Sequence, residues 1–175
     1  YEISPESFWQ GHKNAPATLI NTAMDLMDLN IGDKVCDLYG GVGLFTMGIS
    51  ERIGENGYVH LVESDNYATK DARKIFKNHK NVLVRKGRVE KELPLVDSVD
   101  VILLDPPRNG AGSLVVDQMV SKNPRTIVYV SCDPASLARD TKLLLENNYS
   151  LDKIIAVDLF PMTHHIECIT KFIKT

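Results

Sequence analysis

Two periodicities alternate along the chain. Short runs dense in β-branched and aliphatic residues suit strands buried on both faces. Between them, apolar residues recur every three or four positions, as on one side of a helix. The strand-like runs are Lys34–Tyr39, Gly57–Glu63, Val82–Val84, Val99–Leu104, Thr126–Val130, Leu151–Leu159 and Ile166–Ile173. The helical spacing predicts helices over about 15–29, 44–53, 66–78, 113–122 and 136–147. Asn14 is placed to cap the first helix, with Pro16 in its first turn and Gly32-Asp33 turning the chain after it. Strand–helix alternation predicts an α/β fold with a mostly parallel sheet. The last two strands are joined by too short a link for a crossover helix, so they should pair antiparallel.

No repeat, low-complexity segment or internal linker interrupts this pattern, so residues 1–175 read as one domain with a short lead-in over 1–13. In that lead-in Phe8 and Trp9 could cap the domain, or Gln10 could stand over a ligand pocket; the sequence leaves both open.

Composition narrows the class. Hydrophobic residues make up 43% of the 175 and charged residues 25%, the balance of a globular domain with a full core. No apolar run reaches the roughly 18–20 residues needed to span a bilayer, and the N-terminus lacks the basic and apolar regions of a signal peptide. Three cysteines without a CxxC or Cys/His spacing argue against a zinc site and for a reducing, cytoplasmic setting. A monomer without metal or membrane contact is expected. A net charge of -3 does not announce a nucleic-acid binder, yet a local basic face or a separate domain could supply phosphate contacts.

Candidate chemistry gathers where strands end. The first strand runs into Gly40-Gly41-Val42-Gly43 and then a helix. Such a loop lets a ligand approach the backbone and offers free N–H groups, although the spacing is not GxGxxG. Glu63 ends the second strand 20 residues after Gly43, where an acid commonly holds two ribose hydroxyls. Asp105 ends a central strand and is followed by Pro106-Pro107-Arg108, a stiff loop suited to holding the acid towards a pocket. Arg85, Lys86, Arg88 and Lys91 form a basic cluster broken by Glu90 and Glu92, which reads as a solvated face. Cys132 follows a strand and precedes a helix, a position in which the helix dipole should favour the thiolate. A strand-end cysteine is more often a small buried apolar group. Cys36 and Cys168, within strands, are assigned to that class, and Cys132 to a covalent nucleophile.

Asp37-x-x-Gly40-x-x-Gly43 with Glu63 resembles the class I S-adenosylmethionine methyltransferases. That likeness implies a Rossmann-like seven-stranded sheet of order 3-2-1-4-5-7-6, with strand 7 antiparallel and helices on both faces. Five further features narrow it: Phe8-Trp9-Gln10, Asp105-Pro106-Pro107-Arg108, Ser131-Cys132-Asp133-Pro134, Ala138-Arg139-Asp140 and Phe160-Pro161-Met162-Thr163-His164-His165-Ile166-Glu167. In this order they resemble the RNA 5-methyluridine methyltransferases that act on tRNA and ribosomal RNA. The resemblance implies S-adenosylmethionine as cofactor and RNA as partner. Gln10, Tyr39, Gly40, Gly43, Glu63 and Asp105 would hold the cofactor. Cys132 would be the nucleophile, and Glu167 the base that removes the C5 proton. Arg139 matches a family arginine near the nucleophile; Arg108, Arg139, His164 and His165 are candidates for RNA contact. Gly41, Leu44 and Arg88 depart from the family's pattern. Members also carry an N-terminal RNA-binding domain and an inserted β domain; neither is seen here, so the chain is expected to be the catalytic core alone.

Three rivals stand against this reading. An exocyclic-amine methyltransferase would place an aromatic residue where Arg108 stands, and a cytosine-C5 enzyme would show a Pro-Cys signature. A core that binds cofactor or RNA but is inactive without further domains is the third.

Overall fold

The computed structural model describes residues 15–157 and 166–175, with side chains from Leu19 onward. Helix α1 spans Ala15–Met27. Strand β1 (Lys34–Leu38) is followed by α2 (Leu44–Ile53), β2 (Tyr58–Glu63), α3 (Asn66–Ile75) and β3 (Val82–Lys86). A short helix α4 (Val89–Glu92) and a single 3-10 turn (Leu93–Leu95) lead to β4 (Val101–Leu104). Then come α5 (Ser113–Ser121), β5 (Thr126–Ser131), α6 (Pro134–Leu145), β6 (Tyr149–Val157) and β7 (Glu167–Lys174).

The seven strands form one sheet of order β3-β2-β1-β4-β5-β7-β6. The pairs from β3 to β5 are parallel, and β7 runs antiparallel to both neighbours. The Rossmann-like order expected from the sequence is therefore the order found.

Strand alternation sorts the central residues into two layers. Cys36, Leu38, Ile102, Leu104, Ile127, Tyr129 and Phe172 share one cluster with Val89 of α4, Val115 and Val116 of α5, and Leu137 and Leu144 of α6. Val35, Val101, Leu103, Val128, Val130 and Ile169 share the other with Leu19, Ala23, Leu26 and Met27 of α1 and with Phe45 and Ile49 of α2. All four residues of β4 and all six of β5 are buried. That is why these strands read as continuous apolar runs rather than as alternating ones.

The element boundaries differ from expectation where local chemistry intervenes. Helix α6 starts at Pro134, two residues early, because Asp133 caps it by accepting a hydrogen bond from the Ser136 amide at 2.7 Å. Helix α1 stops at Met27 and is followed by Asp28, which takes a left-handed backbone (φ 49°). Helix α3 ends at Ile75, and Phe76 beyond it turns its ring under the glycine loop. Helix α4 has four residues, too few to carry a readable helical period.

Gly43 is constrained by that ring. Its φ is +93°, and a Cβ there would stand 2.2 Å from Cε2 of Phe76. Gly43→Ala combines left-handed backbone cost with overpacking, about 2–4 kcal/mol together. A fall in melting temperature of roughly 5–15 °C is expected by calorimetry. An unchanged melting temperature would mean that Phe76 can leave its place at no cost.

Candidate active site

Parallel order brings the C-terminal ends of β1, β2, β4 and β5 to one edge of the sheet. The strand order reverses between the parallel neighbours β1 and β4, where open α/β sheets form a crevice. Antiparallel β7 begins at that same edge.

On one side of the crevice lies the glycine loop. Asp37 is fully buried in β1, and its Oδ2 accepts a 2.5 Å hydrogen bond from the Thr46 hydroxyl of α2. Among the described residues its Oδ1 has no hydrogen-bond partner. Gly40 packs against it, so that a Cβ there would lie 2.9 Å from Leu61 Cγ and 3.1 Å from Asp37 Cγ. Tyr39 takes a left-handed backbone (φ 60°) at the turn into the loop. Glu63 draws the loop to β2: its Oε2 accepts from the Gly41 amide at 3.0 Å and its Oε1 from the Asp65 amide at 2.6 Å.

Asp105 continues β4, its amide bonded to the Leu38 carbonyl at 3.2 Å. Desolvation, then Glu167 and Asp37, push its carboxyl up to about 8. Burial outweighs the Thr46 bonds at Asp37 and pushes that carboxyl up to about 7. The crevice thus gathers carboxyl groups that resist ionisation, chiefly because burial strips them of water.

On the other side stand Cys132 and Glu167. The β5–β7 register pairs Ser131 with Cys168, which sets Cys132, one residue further on, beside Glu167. Glu167 is 7% exposed and Cys132 partly buried. Burial raises the Glu167 carboxyl. The Cys132 thiol is raised too, by burial first and then by Glu167 and Asp105, with Arg108 pulling the other way. The helix-dipole expectation of a favoured thiolate is therefore corrected. Asp133 takes up the Ser136 amide of α6, and burial first, then Glu167 and Asp105, outweigh the dipole. The other two thiols fit the apolar class: Cys36 is fully buried and pushed up to about 12 by desolvation, and Cys168 is 7% exposed.

A cleft of about 340 Å³ opens beside the glycine loop. Tyr39, Val62, Ser64, Arg88, Glu90 and the segment from Asn109 to Val115 line it. Arg88 pairs with Glu90 at its rim.

Helix α6 meets the same segment through Asp140, which the sequence reading named beside Arg139 without a site role. Asp140, fully buried, accepts hydrogen bonds from the Ala111 amide at 2.8 Å, the Gly112 amide at 3.3 Å and the Tyr129 hydroxyl at 2.8 Å. Arg139 donates to it from Nε at 3.1 Å and Nη2 at 2.9 Å, and to the Asn109 carbonyl at 2.7 Å. Arg139 thus pairs with its neighbour Asp140.

Strand order and mutual electrostatic influence bring Asp37, Tyr39, Gly40, Gly43, Glu63, Asp105, Cys132 and Glu167 to the same edge of the sheet, with Arg108 acting electrostatically on Cys132; of these residues Tyr39 alone lines the cleft. Phe8, Trp9, Gln10, Asn14, His164 and His165 lie outside the described residues. Among the described residues no group of His, Cys, Asp and Glu could hold a metal ion, and no helix is long and apolar enough to cross a membrane.

The sequence profile of the tRNA (Uracil-5-)-methyltransferase family matches residues 84–174. An uncharacterized RNA methyltransferase of Streptomyces avermitilis is 43% identical over 171 residues, covering 97% of this chain and 40% of that protein. One from Bifidobacterium longum is 35% identical over 184 residues, covering 99% and 42%. Among solved structures, the tRNA (uracil-54, C5)-methyltransferase of Pyrococcus abyssi, in complex with S-adenosyl-L-homocysteine, superposes with a TM-score of 0.83 at 31% identity, covering 99% of this chain and 42% of that one. Aeropyrum pernix fibrillarin (TM-score 0.72, 18% identity) shares the fold. The chain spans about 40% of the length of the relatives it matches.

Proposed function

The chain belongs to the tRNA (uracil-5-)-methyltransferase family, and from that premise we propose that it is the catalytic core of an enzyme that methylates C5 of a uridine in tRNA or rRNA. The observation that carries the reading is the β5–β7 register, which sets a thiol and a carboxyl side by side at the crevice.

S-adenosylmethionine, when bound, supplies an electrophilic methyl group on a sulfonium. The residues fit such a cation. Asp37 presents a fully buried oxygen without a partner, and burial raises Asp105 and Glu167 beside it. Glu63 is placed for ribose hydroxyls and the glycine loop for close backbone approach. Gln10, Tyr39, Gly40, Gly43, Glu63 and Asp105 hold the cofactor.

Uracil C5 is a weak nucleophile. The Cys132 thiolate adds to C6, and the C5–C6 electron pair moves into the O4 enolate, which makes C5 nucleophilic. Once C5 carries the methyl group, Glu167 removes the remaining C5 proton and the Cys132–C6 bond breaks by elimination. The target base leaves its stack to reach Cys132, as a loop uridine in RNA can at low cost. Arg108, Arg139 and His165 contact the RNA. The core works as a monomer in the cytoplasm, without a metal.

The test is cofactor-dependent release of tritium from RNA labelled at uridine C5. Methyl incorporation without tritium release would place the methyl group elsewhere and overturn the reading.

A pH dependence follows from the raised carboxyls. Between about 4 and 7–8 the folded chain holds protons on Asp37 and Asp105 that the unfolded chain has released. These two groups therefore make the ligand-free fold less stable as pH rises through that window. A cationic ligand favours their ionised forms. Binding S-adenosylmethionine should release protons near pH 7, and its affinity should rise from pH 6 to 8 more steeply than that of S-adenosylhomocysteine, whose sulfur is neutral. Calorimetry in two buffers of different ionisation enthalpy reads both. Equal slopes for the two ligands would show that the carboxyls do not answer to the sulfonium.

A further inference from the structure

We propose that Asp140 is a positioning residue that fixes the nucleophile's helix to the loop behind Asp105, so that thiol and cofactor are held at one separation; the inference rests on the uridine-methylation reading above. The carboxylate is saturated from three directions. Its Oδ2 receives the Ala111 and Gly112 amides of the loop and the Tyr129 hydroxyl of β5, and its Oδ1 receives two donors of Arg139. Arg139 also reaches the Asn109 carbonyl, so residues 109–112 are bonded along their length.

The loop is shaped to this carboxylate. Gly110 and Gly112 have φ of +75° and +78°, which favour glycine, and a Cβ on Gly110 would stand 2.6 Å from both Arg139 Nη2 and Asp140 Oδ2. Each part of the clamp continues into a reacting part of the site. Tyr129 lies three residues before Cys132 on β5. Helix α6 starts two residues after Cys132. The loop starts at Asp105 and its far end lines the cleft. Asp140 touches none of the groups that react. Its role is to stop α6 and the loop from moving apart, because a misplacement of about 1 Å between reacting groups costs about 10²-fold in rate. Arg139 thereby gains a role besides contact with RNA.

Asp140→Asn tests this in the full chain. An amide must turn its NH2 either towards the Arg139 guanidinium or towards the loop amides, and each choice sets donor against donor. Methyl transfer at saturating RNA and cofactor should fall about 10²-fold, with KM for RNA within about threefold, since no phosphate or base contact is removed. Tyr129→Phe removes one donor, leaves a buried apolar ring and should fold. It should lower kcat about fivefold to tenfold with the same pattern. A role confined to stability would lower the melting temperature of both variants and leave kcat and KM of the folded fraction unchanged; that result overturns the proposal. A raised KM for RNA at unchanged kcat overturns it as well, because it would make the network an RNA contact. S-adenosylhomocysteine affinity separates this inference from the reading beneath it. If the wild-type protein releases no tritium from uridine, that reading fails. The clamp still stands if Asp140→Asn weakens S-adenosylhomocysteine about tenfold, and falls if the affinity does not change.

Discussion

Cys132→Ala is expected to lower uridine methylation by about 10⁴-fold or more, the scale seen when a covalent nucleophile is removed. In the proposed mechanism the thiol makes C5 reactive, and among the described residues nothing beside it can substitute. Cys36 and Cys168 are buried in strands, and Ser131 points its hydroxyl at the Asp133 carbonyl, 3.0 Å away. The measurement is trapping with RNA that carries 5-fluorouridine. Fluorine cannot leave as a cation, so the wild-type protein should halt after methyl transfer as a complex that survives denaturation. Cys132→Ala should form none while still binding S-adenosylhomocysteine, because Asp37, Glu63 and Asp105 are untouched. An adduct that persists in the variant would remove Cys132 from the mechanism. The raised thiol adds a second expectation. With burial first, and Glu167 and Asp105 after it, holding Cys132 up, alkylation of Cys132 by iodoacetamide near neutral pH should be slow in the free protein.

Glu167→Gln should act one step later. It leaves the addition and the methyl transfer possible and removes the group proposed to take the C5 proton. Turnover should fall by about 10²–10⁴-fold, the usual worth of a general base. Ordinary uridine RNA should then accumulate as a methylated covalent complex, visible as a band shift in denaturing gels and labelled by the methyl group. This is opposite in sign to the Cys132 variant on the same gel: one loses the adduct from fluorinated RNA, the other gains it from natural RNA. Glutamine nearly matches glutamate in volume, so the β7 start should keep its pairing with Val157 across the sheet edge. Normal turnover in Glu167→Gln would exclude it as the base. The raised Glu167 carboxyl also bears on the rate. A carboxyl above its ordinary range is a stronger base once ionised, and its deprotonation adds an acid limb to the kcat profile above the pH of an ordinary glutamate.

Much of the fold was legible because its signals are local. Val101–Leu104 and Thr126–Ser131 are apolar on both faces, which suits central strands of a covered sheet. Gly40 and Gly43 announced a loop that only glycine can make, and a Cβ at Gly43 would meet the Phe76 ring at 2.2 Å. Asp37, Glu63, Asp105 and Cys132 were readable as candidates because each ends a strand or stands next to an end. The start of α6 was read two residues late, because the apolar spacing begins inside the helix while Asp133 and Pro134, a cap and a first-turn proline, mark its true start. Helix α4 was not legible, since four residues cannot show a period.

By itself, then, the sequence determined the strand and helix alternation, the glycine turn and the identity of the groups at the strand ends. These depend on neighbours close along the chain and on which side chains can be buried. Only the tertiary structure decided three things. It set Cys132 beside Glu167, more than 30 residues apart, through the β5–β7 register. It bound Asp140 of α6 to Ala111, Gly112 and Tyr129. It also reversed the expected sense of the Cys132 shift, because the charge state of a thiol is a sum over every carboxyl and every desolvating contact around it. Strand register, long-range hydrogen bonds and desolvation arise between segments distant in sequence, and no local pattern carries them.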